Sequence, residues 1–117
     1  MDSIQFHELF DDFGLVPSYD KPAVKAYCKE QRGKRGVYAM FDQNFQCLYV
    51  GSSIDLKRRL DEHLYCNKLK GHQEEVLFVG VRYVQEKDVT VPERTYIREL
   101  NPKLNVMRYP LPRVRRK

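Results

Sequence analysis

The sequence predicts a small α+β domain, because strand-like segments alternate with helical ones along 117 residues. Residues 36–41 and 46–51 are short apolar segments joined by a four-residue loop, which is typical of a β-hairpin. Residues 76–84 are almost entirely apolar or aromatic and predict a third, well-buried strand. Helices are predicted over about 21–31, 54–65 and 90–101.

Turn and capping residues set the boundaries of these elements. Asp20 is a suitable N-cap for the first helix, with Pro22 in its first turn, and proline after Asn101 ends the last helix. Residues 1–19 predict a short helix and a loop. The chain therefore divides into an N-terminal helical extension (1–35), a main domain (36–106) and a basic tail (107–117) within one compact unit.

Composition excludes several classes of protein. Hydrophobic residues make up 42% and charged residues 32%, which is a globular composition, and no apolar run has the roughly 18 residues of a membrane span. The N-terminus has no signal-peptide pattern. Cys28, Cys47 and Cys66 form no CxxC motif, so a disulfide scaffold and a zinc knuckle are disfavoured. We expect an intracellular protein, in the cytoplasm or nucleoid, or in the nucleus of a eukaryote.

Charge is distributed unevenly. Residues 1–20 sum to −5, residues 21–105 to +5 and residues 106–117 to +5, for a net charge of +5. A basic body with a basic tail suits a polyanion such as nucleic acid, whereas the alternative is a tail that only aids solubility. The expected phosphate-binding cations are Lys57, Arg58, Arg113, Arg115, Arg116 and Lys117.

The predicted hairpin brings two tyrosines together. A loop over 42–45 pairs Phe41 with Gln46, which places Tyr38 directly opposite Tyr49 on one face of the hairpin. The other face carries apolar side chains, including Leu48, and predicts the core. Paired tyrosines are common in sheets for structural reasons, but two hydroxyls here could also receive a phosphate or a water molecule.

The next helix offers a cation beside the buried stripe of Leu56, Leu60 and Leu64. Arg59 and His63 lie at the rim of that stripe, about 60° and 20° from Leu56 at 100° per residue. Arg59 either snorkels from the core edge or holds a phosphate oxygen.

One carboxylate stands out in the last helix. Thr90 and Glu93 fit a capping box, which would explain Glu93 structurally. Glu93 also shares a face with Tyr96, Ile97 and Leu100, where a carboxylate could hold a divalent cation.

Together these segments resemble the GIY-YIG nuclease family. The matching residues are Gly36-Val37-Tyr38, then Tyr49-Val50-Gly51 after ten residues, the arginine-bearing helix, and Glu93 followed by an apolar helix, proline and asparagine. The resemblance implies a three-stranded antiparallel sheet flanked by helices. It also implies hydrolysis of DNA phosphodiesters with one Mg²⁺ (or Mn²⁺) ion.

The resemblance also implies roles for individual residues. Tyr38 would act on the attacking water as general base or relay, supported by Tyr49, and Arg59 would contact the scissile phosphate. His63 would assist proton transfer and Glu93 would be the metal ligand. Gly51 and Asn105 would give structural support.

Two departures leave alternatives open. Ser52 stands where some repair-type relatives carry lysine, and no appended DNA-binding domain fits in the chain. Besides a DNA endonuclease, the sequence is therefore compatible with a non-catalytic nucleic-acid-binding module. It is also compatible with a nuclease subunit that acts only with a DNA-targeting protein partner; no membrane partner is expected.

Overall fold

The computed structural model describes residues 8–65, 76–85 and 88–103, without the side chain of Tyr65. The predicted α+β class is confirmed, but the antiparallel sheet has four strands rather than three, in the order β1-β4-β2-β3. The strands are β1 (Asp12–Leu15), β2 (Gly36–Phe41), β3 (Cys47–Ser53) and β4 (Phe78–Tyr83). The helices are α1 (Lys21–Glu30), α2 (Leu56–Leu60), which continues as a π-helical turn (Asp61–Tyr65), and α3 (Thr90–Leu100).

Strand β1 corrects the prediction of a helix and loop over residues 1–19. Within the described part of that segment only residues 8 and 9 are helical, and β1 pairs antiparallel with β4. The rings of Phe10 and Phe13 lie directly against Gly80, and the Asp11 carboxylate accepts a hydrogen bond from the Tyr83 amide at 2.8 Å. These distant partners, which the local apolar spacing does not reveal, select the extended conformation.

The hairpin register also differs from the prediction. The loop closes at Asp42 and Gln46, with Phe45 in the left-handed region at φ 61°, so Phe41 pairs with Cys47 instead of Gln46. A bulge follows, so that Tyr38 pairs with Gly51. The Phe45 ring stacks on Phe78 at 4.5 Å between centroids, and this contact offsets the cost of the left-handed backbone.

Both faces of the sheet are buried. Helices α1 and α2 cover one face, which we name the tyrosine face because Tyr38 and Tyr49 lie in its core with Met40 and Leu48. Helix α3 covers the other, the aromatic face, whose core includes Phe10 and Phe41. The bulge moves Leu48 to the tyrosine face, which corrects its predicted position on the opposite face. All six residues of β2 are buried, as expected for a strand between two helical layers.

The helices end largely where the sequence predicts. Asp20 caps α1 by accepting a hydrogen bond from the Ala23 amide at 3.2 Å. Asn101 ends α3 in the left-handed conformation at φ 48°, immediately before Pro102. Among the described residues, no helix is both long and apolar enough for a membrane crossing.

Candidate active site

Tyr38 is fixed by a glycine on the neighbouring strand. Gly51 pairs with Tyr38, and a Cβ atom at Gly51 would collide with the Tyr38 hydroxyl oxygen. The phenol therefore lies on the backbone of β3, and only glycine leaves room for it. Gly51 is thus a residue that shapes the position of the Tyr38 hydroxyl.

Tyr49 and His63 complete an aromatic group around Tyr38. The ring centroids of Tyr38 and Tyr49 are 6.1 Å apart, and those of Tyr49 and His63 are 4.9 Å apart. The prediction that both tyrosines share a face is confirmed, although they are diagonal neighbours rather than a direct pair. His63 is 2% exposed, so it lies inside the core and not at its rim, which corrects the prediction.

The π-helical turn accounts for the setting of His63. The predicted α-helix over 54–65 is α-helical only from Leu56 to Leu60 and then widens over Asp61–Tyr65. Such π-turns are frequent at functional sites. Leu56, Leu60 and Leu64 remain buried as predicted.

Arg59 stands at the edge of the tyrosine face. Its side chain is 38% exposed, and its Nε atom lies 3.8 Å from the Glu62 carboxylate. That Nε is buried and has no hydrogen-bond partner in the described part of the chain. A guanidinium with an unsatisfied, inward N–H and an exposed end is suited to bind an anion that approaches from solvent.

Glu93 is held from the sheet and not by its own helix. The Ser52 hydroxyl donates a hydrogen bond to the Glu93 carboxylate. The predicted capping box is wrong. Val89 is the N-cap residue and its side chain caps nothing, and the Thr90 hydroxyl donates a hydrogen bond to the Asp88 carboxylate. The contact between Ser52 and Glu93 was not predicted from the sequence, although the position of Ser52 one residue beyond Gly51 puts its side chain on the α3 side of β3.

The predicted catalytic residues thus approach β3 from both faces. Strand β3 is an edge strand of the sheet. Gly51 supports the Tyr38 phenol on the tyrosine face, and the next residue, Ser52, binds Glu93 on the aromatic face. A hydroxyl group and a carboxylate are therefore fixed at adjacent residues of one edge strand.

The donor atoms here fit a hard divalent cation better than a soft metal. The described residues contain no group of three or more His, Cys, Asp or Glu side chains that could hold a metal ion. One carboxylate with a neighbouring hydroxyl nevertheless suits Mg²⁺, which commonly takes one or two protein carboxylates and retains its waters. Glu93 and Ser52 would supply those oxygen atoms.

The remaining predicted site residues are divided between ion pairs and undescribed segments. Lys57 pairs with Asp61 at 2.8 Å, and Arg58 pairs with Glu62 at 3.0 Å. These two ion pairs reduce the net positive charge that α2 offers to a phosphate. Asn105 and the tail cations Arg113, Arg115, Arg116 and Lys117 lie outside the described residues.

Comparison with known proteins identifies the family. Residues 34–105 match the model of the GIY-YIG catalytic domain. The chain belongs to the GIY-YIG family. It is 34% identical over 91 residues to UvrABC system protein C of Edwardsiella ictaluri, a match that covers 70% of the chain and 14% of that relative.

Two further relatives give the same result. UvrABC system protein C of Shigella dysenteriae is 34% identical over 97 residues, covering 75% of the chain and 16% of the relative. The protein of the same name from Actinobacillus pleuropneumoniae is 30% identical over 90 residues, covering 72% of the chain and 15% of the relative. The chain therefore spans only a small part of these relatives' length.

Proposed function

We propose that this GIY-YIG protein is a metal-dependent endonuclease that hydrolyses DNA phosphodiester bonds. Membership in a catalytic-domain family supports a nuclease-type function. The observation that carries the specific proposal is the arrangement at β3, where Gly51 seats the Tyr38 phenol and Ser52 holds the Glu93 carboxylate. Hydrolysis needs both a group that handles a proton and a group that concentrates positive charge at the phosphate.

Tyr38 is the proposed general base or proton relay for the attacking water. A phenol has a pKa near 10 and is a weak base unless a nearby cation favours its ionised form. Tyr49 and His63 pack against it at ring distance and are the groups through which its proton can leave.

Arg59 and Glu93 are the proposed electrostatic residues. The Arg59 guanidinium binds a non-bridging oxygen of the scissile phosphate and stabilises charge that develops there. Glu93 holds Mg²⁺ or Mn²⁺, which supplies Lewis-acid stabilisation of the phosphate when bound. In the absence of a cation, the Glu93 carboxylate would repel a phosphate, which makes a purely binding role less favourable.

A partner-dependent nuclease is the second candidate, and burial favours it. Tyr38 and Tyr49 are only 1% and 3% exposed. Substrate reaches their hydroxyl groups only when neighbouring structure moves, and a DNA-targeting partner could drive that movement. The relatives are named as components of the UvrABC system, which supports a role beside other proteins in DNA repair.

Incubation with supercoiled plasmid, branched DNA and single strands tests the proposal. We expect nicking or cleavage with Mg²⁺ or Mn²⁺ and none with EDTA. Binding of all three substrates without cleavage under any of these conditions would contradict the stand-alone nuclease. Cleavage that persists in EDTA would contradict the metal requirement.

A further inference from the structure

The exposed side of α1 carries a row of lysines that the catalytic proposal does not use. Lys21, Lys25 and Lys29 recur every four residues and lie within about 80° of one another around the helix. Arg32 follows in the turn after the helix. Residues 20–35 contain six cations and two acids, for a net charge of +4.

The three outermost cations are available to a ligand. Lys25, Lys29 and Arg32 are exposed, and their side chains form no ion pair within the described residues. This distinguishes them from Lys57 and Arg58, whose charges are paired on α2. We name Lys25, Lys29 and Arg32 the α1 basic row.

The acidic residue of α1, Glu30, borders the same surface depression as Lys25 and Lys29. Glu30 is about 100° from Lys29 around the helix, and farther from Lys21 and Lys25. Cys28 lies on the row's other flank, near enough to Asp61 for that carboxylate to raise the pKa of the Cys28 thiol. The row therefore lies between Glu30 and the Cys28 side of α1, and the Cys28 side is the one that packs against the π-helical turn.

Two contacts fix this flank to the helix that bears the site. The Lys21 ammonium donates a hydrogen bond to the Leu64 carbonyl at 3.1 Å. The Leu56 amide of α2 donates a hydrogen bond to the Lys34 carbonyl, just after α1, at 3.0 Å. The Asp61 carboxylate raises the pKa of Lys57 on α2, and repulsion from the nearby Arg32 acts in the opposite direction. The α1 basic row thus continues onto the helix that carries Arg59 and His63.

We propose that the α1 basic row binds the phosphate backbone of DNA that flanks the cleaved bond. This inference rests on the proposed nuclease function and names a binding surface for its substrate. Successive lysines rise about 6 Å along α1, and duplex DNA carries one charge per roughly 1.7 Å of its axis. A straight row of cations fits such a regular polyanion, and the exposed lysine heads can follow it without ordering a loop.

The row supplies affinity but no choice of sequence, because phosphate contacts carry no base information. It lies in a segment that precedes the family match at residues 34–105.

The test compares two double variants of equal charge. Lys25→Gln/Lys29→Gln removes two cations from α1, and Arg94→Gln/Arg98→Gln removes two exposed cations with the same spacing from α3, on the other face of the sheet. The dissociation constant for a duplex is measured by fluorescence anisotropy in EDTA at several salt concentrations, with the full chain. We expect the α1 variant to lose about 1.8 units of salt slope, at 0.9 per phosphate contact, and the α3 variant to lose much less.

Cleavage with Mg²⁺ separates this proposal from the proposed function. We expect KM to rise in the α1 variant while kcat stays at the wild-type value, because the row binds phosphates that flank the cleaved bond and not the reacting atoms. If the α1 variant keeps the wild-type salt slope and the protein still cleaves DNA, the proposal that the α1 basic row binds DNA is wrong, while the proposed nuclease function stands. An acidic protein is then the partner left for the row. Equal slope losses in both variants also overturn it, since they indicate bulk charge. A wild-type protein that never cleaves contradicts the nuclease instead, whatever the slopes.

Discussion

The two faces of the sheet have the same number of helical layers but different chemistry. The tyrosine face buries Tyr38, Tyr49 and Cys28 in its core, with His63 packed against the tyrosine rings. The aromatic face buries phenylalanine and valine, with half-buried residues of α3 at its edge. One face therefore contains polar groups fixed by packing, whereas the other is an ordinary apolar core.

The difference shows how a small domain can hold a reactive group in place. Polar atoms buried among apolar side chains have few alternative positions, so their geometry is set in advance. The aromatic face stabilises the same strands and contributes to the site only at its rim, through Glu93. Substitutions of the polar groups on the tyrosine face, and of Glu93 at the rim of the aromatic face, should therefore affect rate, and other substitutions on the aromatic face should affect stability.

Glu93→Gln has the largest expected effect on rate. The substitution keeps the side-chain shape and the Ser52 contact but removes the charge that holds the cation. We expect no detectable cleavage in a Mg²⁺ plasmid assay, with DNA affinity close to wild type. Glu99→Gln is the control because Glu99 is an exposed residue of the same helix, and it should cleave normally. Full activity of Glu93→Gln would contradict the metal-ligand role.

Tyr38→Phe removes a hydroxyl group from the tyrosine face, and its control removes one from the aromatic face. Loss of the hydroxyl should slow cleavage at least a hundredfold, on the scale of general-base catalysis, with little change in melting temperature. The control is Tyr96→Phe, which removes a hydroxyl that donates to the Leu9 carbonyl on the aromatic face. It should cost about 1 kcal/mol of stability and leave kcat unchanged. An active Tyr38→Phe enzyme would assign the base to another group.

Arg59→Ala separates positioned charge from bulk charge. Both arginines pair with Glu62, but the Arg59 Nε is buried, lies 3.8 Å from that carboxylate and forms no hydrogen bond within the described residues, whereas the more exposed Arg58 contacts it at 3.0 Å. We expect Arg59→Ala to cleave at least tenfold more slowly than Arg58→Ala in single-turnover assays. Similar rates for the two variants would mean that the position of the guanidinium is unimportant.

Two glycines offer a matched comparison of packing. A Cβ atom at Gly51 meets the Tyr38 phenol, and one at Gly80 meets the rings of Phe10 and Phe13 at 2.7 to 2.9 Å. Both alanine variants should lose about 1–3 kcal/mol in urea unfolding because each core is overpacked. At temperatures where both remain folded, only Gly51→Ala should lose kcat. Equal rates would indicate that the seating of Tyr38 does not matter for catalysis.

The smallest expected effect is on the pH dependence of stability, to which one buried cysteine on each face contributes. Burial raises the pKa of both Cys28 and Cys47 to about 12, and at Cys28 the Asp61 carboxylate adds to the rise. The unfolded thiols ionise near pH 9, so stability is full below that pH and falls as pH rises toward 12. In urea unfolding at pH 8, 9 and 10, Cys28→Ala should show a shallower loss than wild type, by at most about 1 kcal/mol per pH unit. An identical slope would contradict the raised pKa of Cys28.

Periodicity and turn chemistry determined much of this protein by themselves. The alternation in β2 and β3 placed Tyr38 and Tyr49 on one face, and the leucines of α2 marked its buried side. Asp20 and Asn101 marked the ends of helices, because capping depends on a few adjacent residues. Three motifs in the right order were sufficient to indicate the family, which the match over residues 34–105 confirms.

Only the tertiary structure decided the remaining features. Strand β1 depends on β4, whose Gly80 admits the rings of Phe10 and Phe13 from distant sequence positions. The hairpin register depends on Phe45, which adopts a left-handed backbone because its ring stacks on Phe78. The partner of Glu93 is Ser52, 41 residues away, in place of the capping box that local spacing favoured. In each case a contact between remote residues outweighs a local preference of about 1 kcal/mol, and such contacts exist only once the chain has folded.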